Sequence, residues 1–190
     1  MDPEPIPGPE PIPGVQPIRA AGAGRPGTDP PRGPGSTDPP RERPAFPISG
    51  WAADPSALAD FLREPNLCRV ATLDGRGRPH VVPAWFCWDG ARFSVGAQAR
   101  DAKVAHVRRF GEAGIEIDAD IRRKRGIFAT GSARVLEGPE GRDEYVRISV
   151  EQLKRYRPER PARETAERMA ATGQPVVIVV TPRRMISWGR

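Results

Sequence analysis

Three side chains that can bind an anion lie close together near the middle of the chain. Gln98, Arg100 and Lys103 occur within six residues, and Lys103 lies at the start of a predicted helix. The backbone amides at a helix N-terminus favour a negatively charged group. This segment is therefore a candidate phosphate-binding site. The alternative is that Lys103 is an ordinary solvated helix residue.

A second basic segment, residues 122–125 with the sequence Arg-Arg-Lys-Arg, is the densest run of charge in the chain. It follows Asp118 and Asp120, so the simplest interpretation is a solvated hairpin turn. The alternative is a surface that binds an acidic cofactor tail or an acidic substrate. Nucleic acid is a weaker candidate partner, because the segment lacks the interleaved aromatic residues of a single-strand-binding surface.

The other reactive residue types lack the spacing that catalysis or metal binding requires. His80 and His106 are not spaced as metal ligands, and Cys68 and Cys87 are too far apart for a Cys-x-x-Cys motif. We therefore expect no metal site, and the sequence identifies no catalytic residue.

The first 47 residues differ in composition from the rest of the chain. They hold 15 of the 24 prolines, and residues 1–45 contain no aromatic residue, no Leu and one Val. Such a segment buries too little apolar surface to offset its ordering entropy. We therefore predict a disordered tail over 1–47 and one domain over 48–190. The tail repeats Glu-Pro-Ile-Pro-Gly and Thr-Asp-Pro-Pro-Arg, which is typical of a spacer, or alternatively of a ligand for a proline-binding domain.

The charge of residues 46–190 indicates the class of partner. They carry 25 basic and 18 acidic side chains, a net charge of +7, which favours a phosphorylated cofactor, an acidic small-molecule substrate or nucleic acid. No apolar run approaches the ~18 residues of a membrane span, and the N-terminus lacks the pattern of a signal peptide. Two cysteines do not make a disulfide framework. We therefore expect a cytoplasmic protein with no membrane partner.

Turn and cap residues divide the domain into short segments. Asp54-Pro55 begins a helix, Asp74–Gly77 joins two strands, and Thr181-Pro182 separates the last two strands. The predicted strands cover residues 67–73, 79–88, 92–95, 113–117, 127–136, 176–180 and 185–188, and the predicted helices 54–64, 101–110, 140–156 and 161–172. Tight hairpins argue against a parallel sheet. The predicted fold class is mainly β with flanking helices (α+β), built as a small antiparallel barrel.

Several short sequences in this domain occur in the order of a known family. They are Arg69–Leu73, Gly77–Pro83, Trp85-Phe86, Trp88–Gly90, Lys103 at a helix start, Gly126, Gly131–Ala133, Thr181-Pro182 and Ile186–Gly189. Together they resemble the split-barrel flavin and deazaflavin reductases related to pyridoxamine 5′-phosphate oxidase, and most closely the branch that uses coenzyme F-420. The resemblance implies an FMN-binding-like split β-barrel and a homodimer with two cofactor sites at the subunit interface. It also implies an oxidoreductase that transfers a hydride from the reduced cofactor to an organic acceptor.

The resemblance also implies which residues contact the cofactor, coenzyme F-420 or alternatively FMN. The basic residue at the position of Lys103 binds the phosphate, while the strand-one segment passes the ring system. The residues predicted to bind the cofactor are Arg69, Val70, Ala71, Thr72, Pro83, Ala84, Trp85, Gln98, Lys103 and Trp188. Arg69 has the alternative of pairing with Asp118 or Asp120. For Trp85 and Trp188 the alternative is burial in the core.

Two positions depart from the family pattern. The loop before the helix usually offers hydroxyl groups to the phosphate, and this chain has Ala97 and Asp101 there. A carboxylate beside a phosphate is repulsive, whereas Asp at a helix start can cap the helix. The alternative function is therefore a non-catalytic split-barrel module that binds a flavin, haem or another acidic ligand.

Overall fold

The computed structural model describes residues 46–119 and 124–189. Within them the elements are β1 Ile48–Ser49, α1 Pro55–Arg63, β2 Cys68–Leu73, β3 Pro79–Ala84, β4 Cys87–Trp88, β5 Phe93–Gln98, α2 Ala102–Phe110, β6 Glu112–Asp118, β7 Gly126–Leu136, α3 Gly138–Tyr156, α4 Ala162–Ala171 and β8 Pro175–Trp188. A short 3-10 turn, Trp51–Ala53, precedes α1. The prediction of a mainly β domain with flanking helices is confirmed. No helix in these two ranges is long and apolar enough to cross a membrane.

All eight strands of the described residues join one sheet. Seven of them follow the order β3-β2-β6-β7-β8-β5-β4, and each neighbouring pair is antiparallel. The short β1 pairs in parallel with the end of β8. The strand order does not return from β4 to β3, so the barrel stays open between its first and last strands.

Cap and turn residues set the ends of several elements, as the sequence predicts. The Asp54 carboxylate accepts hydrogen bonds from two amides in the first turn of α1. The Asp74 carboxylate accepts from the amides of Arg76 and Arg78 and closes the β2–β3 hairpin. α2 ends at Gly111, whose φ of 65° is the left-handed conformation that favours glycine.

Two predicted strand boundaries are wrong. The second predicted strand breaks into β3 and β4, because Trp85 leaves the sheet and packs against the end of α3. The last two predicted strands form a single strand, β8, which continues through Thr181-Pro182. A bulge in the pairing with β7, next to Gly131, accommodates Pro182, which has no amide hydrogen to donate.

The last two residues of the predicted tail contact the domain. The Phe46 ring packs edge-on at 6.5 Å from the Trp88 ring. The Pro47 carbonyl accepts a hydrogen bond from the Met185 amide at 3.1 Å. Residues 1–45, which carry the rest of the predicted tail, lie outside the described residues.

The two faces of the sheet differ in how they are covered. On β8 alternate residues such as Val176 and Ile178 belong to the main core, whereas Val177 and Val179 pack with residues of α3 and α4. These helices cover the outer face over β4, β5, the end of β7 and the first half of β8. Among the described residues nothing covers the outer face of β3, β2, β6, the start of β7 and the end of β8. This region, called the uncovered face below, exposes four large apolar side chains: Leu73, Val81, Phe128 and Trp188.

Candidate functional site

Two strand edges that have no partner among the described residues lie on either side of α2. One is the edge of β3 that faces away from β2. The other is an edge of β5: β4 pairs only with Phe93 and Ser94, so residues 95–98 have no partner on that side. α2 follows directly after β5, and its His106 ring lies 5.2 Å from the His80 ring of β3. α2 packs on β2 and β7 over the main core, and we call the region between the unpaired edges of β5 and β3 the split.

Lys103 lies at the β5 end of the split, in the first turn of α2. Its ammonium group lies 2.6 Å from Asp101 Oδ2, and 13% of its side chain is exposed. The same Asp101 oxygen accepts a hydrogen bond from the backbone amide of Gln98 at 3.1 Å. Burial favours a raised pKa for Asp101, but the hydrogen bonds from Lys103 and Gln98 outweigh it and hold the pKa below its ordinary value. An ammonium group and a backbone amide thus already hold one anionic group at this place.

Asp101 occupies the N-cap position of α2 without capping the helix. Its side chain makes no hydrogen bond to the amides of the first turn, in contrast to Asp54 on α1. The predicted helix cap is therefore absent at Asp101. The helix start keeps the partial positive charge that favours an anion.

A polar contact beneath α2 fixes the helix on the sheet. Thr72 Oγ1 of β2 lies 3.0 Å from His106 Nδ1 and 3.4 Å from the carbonyl oxygen of His80. Thr72 is 4% exposed, and two valines of α2 are buried in the main core. These contacts hold α2, and with it Lys103, in a defined position in the split.

A concave region lies on the uncovered face. This groove has a volume of about 420 Å³, within the usual range of small-molecule sites. Its lining is mostly apolar and comprises Ala71, Thr72, Leu73, Pro79, Phe110, Glu112, Ala113, Gly114, Phe128, Thr130 and Gly131. A Cβ added at Gly114 would lie 3.3 Å from the Phe128 ring, so the absence of a side chain there keeps the groove open. Phe110 is the last residue of α2, about 10.5 Å along the helix from Lys103 at 1.5 Å per residue.

Comparison with known proteins identifies the family. Residues 55–189 match the family model described as pyridoxamine 5′-phosphate oxidase, a span that includes the split, α2 and the uncovered face. The chain belongs to the pyridoxamine 5′-phosphate oxidase family. The resemblance drawn from the short motifs is thereby confirmed. No curated protein sequence matches the chain.

Solved structures share the split-barrel fold of this family. A conserved hypothetical protein from Mycobacterium tuberculosis is 24% identical, with a TM-score of 0.60 over 78% of this chain and 89% of that one. An F-420 reductase is 19% identical, with a TM-score of 0.50 over 66% and 93%. An FMN-binding protein from Nostoc punctiforme, related to pyridoxamine 5′-phosphate oxidase, is 12% identical, with a TM-score of 0.51 over 70% and 82%. At these identities the likeness shows the fold.

The residues predicted to bind the cofactor of this split-barrel protein fall into separate places. Gln98 and Lys103 lie at the start of α2, whereas Pro83 and Ala84 lie at the end of β3, whose second edge is unpaired. Two line the groove: Ala71 and Thr72. The others lie in the core, on the uncovered face or beside α3: Val70, Arg69, Trp188 and Trp85. Within one chain the predicted set therefore does not form a single site.

Arg69 pairs with carboxylates on the uncovered face. Its Nη1 lies 2.9 Å from Glu116 Oε2 and also contacts Asp118 Oδ1. Of the two alternatives for Arg69, the structure shows pairing with Asp118, while Asp120 lies outside the described residues. The hydrogen bond to Asp118, supported by Glu116, raises the pKa of Arg69. Because about half of the Arg69 side chain is exposed, the pair contributes little to stability.

Trp85 and Trp188 have different surroundings. The Trp85 ring stacks on Tyr156 at the end of α3, with centroids 5.0 Å apart and planes 6° from parallel. Trp188 is 40% exposed at the end of β8, and its indole lies over Gly126, where a Cβ would overlap the ring. Its carbonyl accepts a hydrogen bond from Trp51 Nε1 at 2.8 Å. Trp85 thus has a partner within the chain, and Trp188 is available to a second molecule.

The basic segment 122–125 is described only in part. Arg122 and Arg123 lie outside the described residues. The Arg125 guanidinium lies 3.7 Å from the centre of the Trp51 ring and 5.4 Å from that of Phe61. Arg125 therefore packs against the start of the domain. Binding of an acidic group by Arg122 and Arg123 stays a prediction.

Tyr145 of α3 borders the segment that is predicted to bind phosphate, although no sequence pattern identifies this tyrosine. A Cβ added at Gly96 of β5 would lie 3.0 Å from the Tyr145 ring. Burial raises the pKa of Tyr145, and the negative charge of nearby Asp101 raises it further. The polar pattern of α3 gives no signal for this position, because the contact depends on how α3 crosses β5.

The two cysteines are not candidate catalytic residues. Cys68 and Cys87 are free and buried, and burial raises the pKa of each thiol to about 12. Neither is therefore a reactive thiolate at neutral pH. Within the described ranges, no group of three or more His, Cys, Asp and Glu side chains is placed to hold a metal ion.

Proposed function

We propose that this protein is an oxidoreductase that transfers a hydride between a cofactor in the split, coenzyme F-420 or alternatively FMN, and a small organic acceptor. The observation that carries the proposal is the pair of donors at the start of α2. Lys103 Nζ and the Gln98 amide already hold an anionic group, the Asp101 carboxylate. Membership of the pyridoxamine 5′-phosphate oxidase family supports a cofactor of the flavin class.

The donors at the split fit a cofactor that carries a phosphate. Lys103, whose ammonium group has three hydrogens to donate, would hold the phosphate beside Asp101, aided by the positive end of α2. The unpaired edge of β3 at Pro83 and Ala84 offers backbone groups for the ring system. When bound, the deazaflavin or flavin supplies the hydride. The chain supplies binding and orientation, and the contacts of Thr72 with α2 keep Lys103 in place.

We also propose that the active form is a cytoplasmic homodimer joined through the uncovered face. This face exposes Leu73, Val81, Phe128 and Trp188, a group of large apolar side chains on adjoining strands. Grouped exposed apolar side chains are typical of an interaction surface. A second copy would cover the groove and bring its own Trp188 to the same region. Residues that lie apart in one chain would then approach each other across the interface.

The direct test is titration of the full chain with F-420 and, separately, with FMN, followed by cofactor fluorescence. Lys103→Ala is expected to weaken either cofactor by about 1.5–3 kcal/mol, the size of a charge-assisted contact. Lys154→Ala removes an exposed lysine of α3 and serves as the matched control, with no expected change. If wild type binds a cofactor and Lys103→Ala binds it with the same affinity, Lys103 is not part of the site. A screen of acceptors with the reduced cofactor then tests turnover.

The acidic tail of F-420 gives a separate test of the cofactor. Arg122→Ala combined with Arg123→Ala is expected to weaken F-420 in a salt-sensitive manner and to leave FMN nearly unaffected, because surface charges are screened by salt. Equal effects on the two cofactors would contradict the assignment of this segment to the acidic tail.

A second candidate function is a non-catalytic module that binds a flavin, haem or another acidic ligand. The observation that favours it is the Lys103–Asp101 ion pair, since an internal carboxylate occupies the donors that a cofactor phosphate would use. Measurable cofactor affinity without turnover of any acceptor would support this function. Turnover would exclude it.

A further inference from the structure

We infer that Asp101 selects the cofactor by the charge on its phosphate, and favours a phosphodiester, as in coenzyme F-420, over a phosphomonoester, as in FMN. The inference rests on the proposed function, since it concerns the same phosphate site. Asp101, which departs from the family pattern, would then determine cofactor specificity.

The geometry places a fixed negative charge beside the phosphate. Asp101 Oδ2 lies 2.6 Å from Lys103 Nζ, and a phosphate oxygen on the same ammonium group would lie at a similar hydrogen-bonding distance. Two anionic oxygens that share one nitrogen are at most about 5.5 Å apart, twice the length of such a bond. Any phosphate held by Lys103 is therefore a close neighbour of the Asp101 carboxylate.

Asp101 is ionised under the conditions in which the cofactor binds. Its pKa lies below the ordinary value, because the hydrogen bonds from Lys103 and Gln98, with the charge of Arg100, outweigh the effect of burial. The other titratable group beside it is Tyr145, whose pKa is raised, so the phenol is neutral. The local charge thus comes from Asp101, Lys103 and Arg100.

A phosphodiester and a phosphomonoester respond differently to this carboxylate. A phosphodiester carries one negative charge, whereas a phosphomonoester carries close to two at pH 7, with a second pKa of about 6. At about 5.5 Å each unit of charge costs about 4-fold in affinity at a dielectric constant of about 80, and about 150-fold at about 20. Because a phosphomonoester carries a second charge, the factor by which its affinity falls is about the square of the factor for a phosphodiester. FMN is therefore penalised more than F-420 by the same residue.

The experiment compares the affinities of F-420, FMN and riboflavin, which has no phosphate, for wild type and Asp101→Asn. Asn keeps the hydrogen-bonding shape and removes the charge. At pH 7.5 we expect FMN to gain at least tenfold, F-420 to gain about the square root of the FMN factor, and riboflavin to stay unchanged. At pH 5.5 the FMN phosphate is mostly monoanionic, and the two gains should converge. Asp101→Ser should give the same order, and Asp60→Asn, an exposed carboxylate on α1, is the control with no expected gain.

The outcomes separate this inference from the proposed function. If wild type binds the cofactors, and Asp101→Asn raises the affinity for F-420 and FMN equally or does not raise that for FMN, the role of Asp101 is overturned. The proposed function is then unaffected. A gain for riboflavin as large as that for FMN also overturns it, because the effect would not act on the phosphate. If neither cofactor binds to wild type or to either variant, both the inference and the proposed function fail.

Discussion

The contact between Trp85 and Tyr156 gives a prediction that separates a structural role from a cofactor contact. The two rings stack at 5.0 Å, and the Tyr156 hydroxyl donates to the Asn66 carbonyl at 2.6 Å. Next to them Arg155 Nη1 donates to the carbonyls of Leu62 and Phe86. The end of α3 is thus tied to α1, to the segment before β2 and to the link between β3 and β4. We expect Trp85→Leu to lower stability and to leave cofactor affinity unchanged.

The size of the effect follows from burial and stacking. Truncation of a fully buried aromatic residue costs about 3–5 kcal/mol, and Trp85 is partly buried, so about 2 kcal/mol is expected for the substitution. The stacked pair itself accounts for about 0.5–1.5 kcal/mol of this. In a domain of this size about 2 kcal/mol lowers Tm by about 4–8 °C.

A double-mutant cycle measures the contact directly. Wild type, Trp85→Leu, Tyr156→Leu and the double variant are unfolded in urea, and the coupling free energy is expected to be about 0.5–1.5 kcal/mol. Tyr156→Phe keeps the stack and loses the bond to Asn66, which costs about 1 kcal/mol. The reasoning is refuted if the coupling is zero and Trp85→Leu keeps its stability while F-420 or FMN affinity falls tenfold. Trp85 would then contact the cofactor.

Three further changes test other parts of the structure. Hydrogen bonds from Arg78 and Arg76 lower the pKa of Asp74 from 3.8 to about 2, so its stabilising contribution is complete above pH 3.8 and is lost as the pH falls through about 2. Tm measured between pH 5 and pH 2 should therefore fall more steeply in wild type than in Asp74→Asn. Arg125→Leu removes the contact with the Trp51 ring and should cost about 1 kcal/mol in urea unfolding; an unchanged midpoint would contradict this. Deletion of residues 1–45 should leave Tm unchanged within about 1 °C, and a larger fall in calorimetry would show that the predicted tail supports the domain.

Local signals in the sequence predict the elements well, because their causes are local. Asp54-Pro55 begins α1 and Asp74 closes the β2–β3 hairpin through hydrogen bonds within four residues. The continuity of β8 could not be predicted in the same way. Thr181-Pro182 has the composition of a strand break, and the bulge that accommodates Pro182 depends on pairing with β7 about 50 residues away.

The candidate site shows the same division between local and distant causes. Gln98, Asp101 and Lys103 meet because they lie within six residues. The nearness of Gln98, Arg100 and Lys103 in the sequence is therefore enough to indicate a candidate anion-binding segment. The neighbours of Trp85 and Gly96 are Tyr156 and Tyr145 on α3, and only the packing of that helix brings them together. The types of nearby residues in the sequence therefore indicate the class of site, whereas the packing of α3 determines which tyrosines lie beside Trp85 and Gly96.

The uncovered face leads to a prediction about assembly. We expect wild type to sediment as a dimer at micromolar concentration and Val81→Glu to sediment as a monomer. Val81 is 56% exposed on β3, and Ala71, its cross-strand neighbour on β2, lines the groove. In a two-fold interface each substitution occurs twice, and burial of an unpaired carboxylate costs several kcal/mol. Leu67→Glu is the matched control, because Leu67 is 43% exposed just before β2 and is not a member of the exposed group.

The same variants connect assembly with cofactor binding. If the cofactor lies between two copies, Val81→Glu should lose F-420 or FMN affinity together with the dimer, although Val81 lies on a different element from Lys103. Leu67→Glu should keep both properties. A monomeric Val81→Glu variant with full affinity would confine the cofactor site to the split of one chain. A monomeric wild type would refute the proposed interface, and another partner would then have to explain why four large apolar side chains share one face.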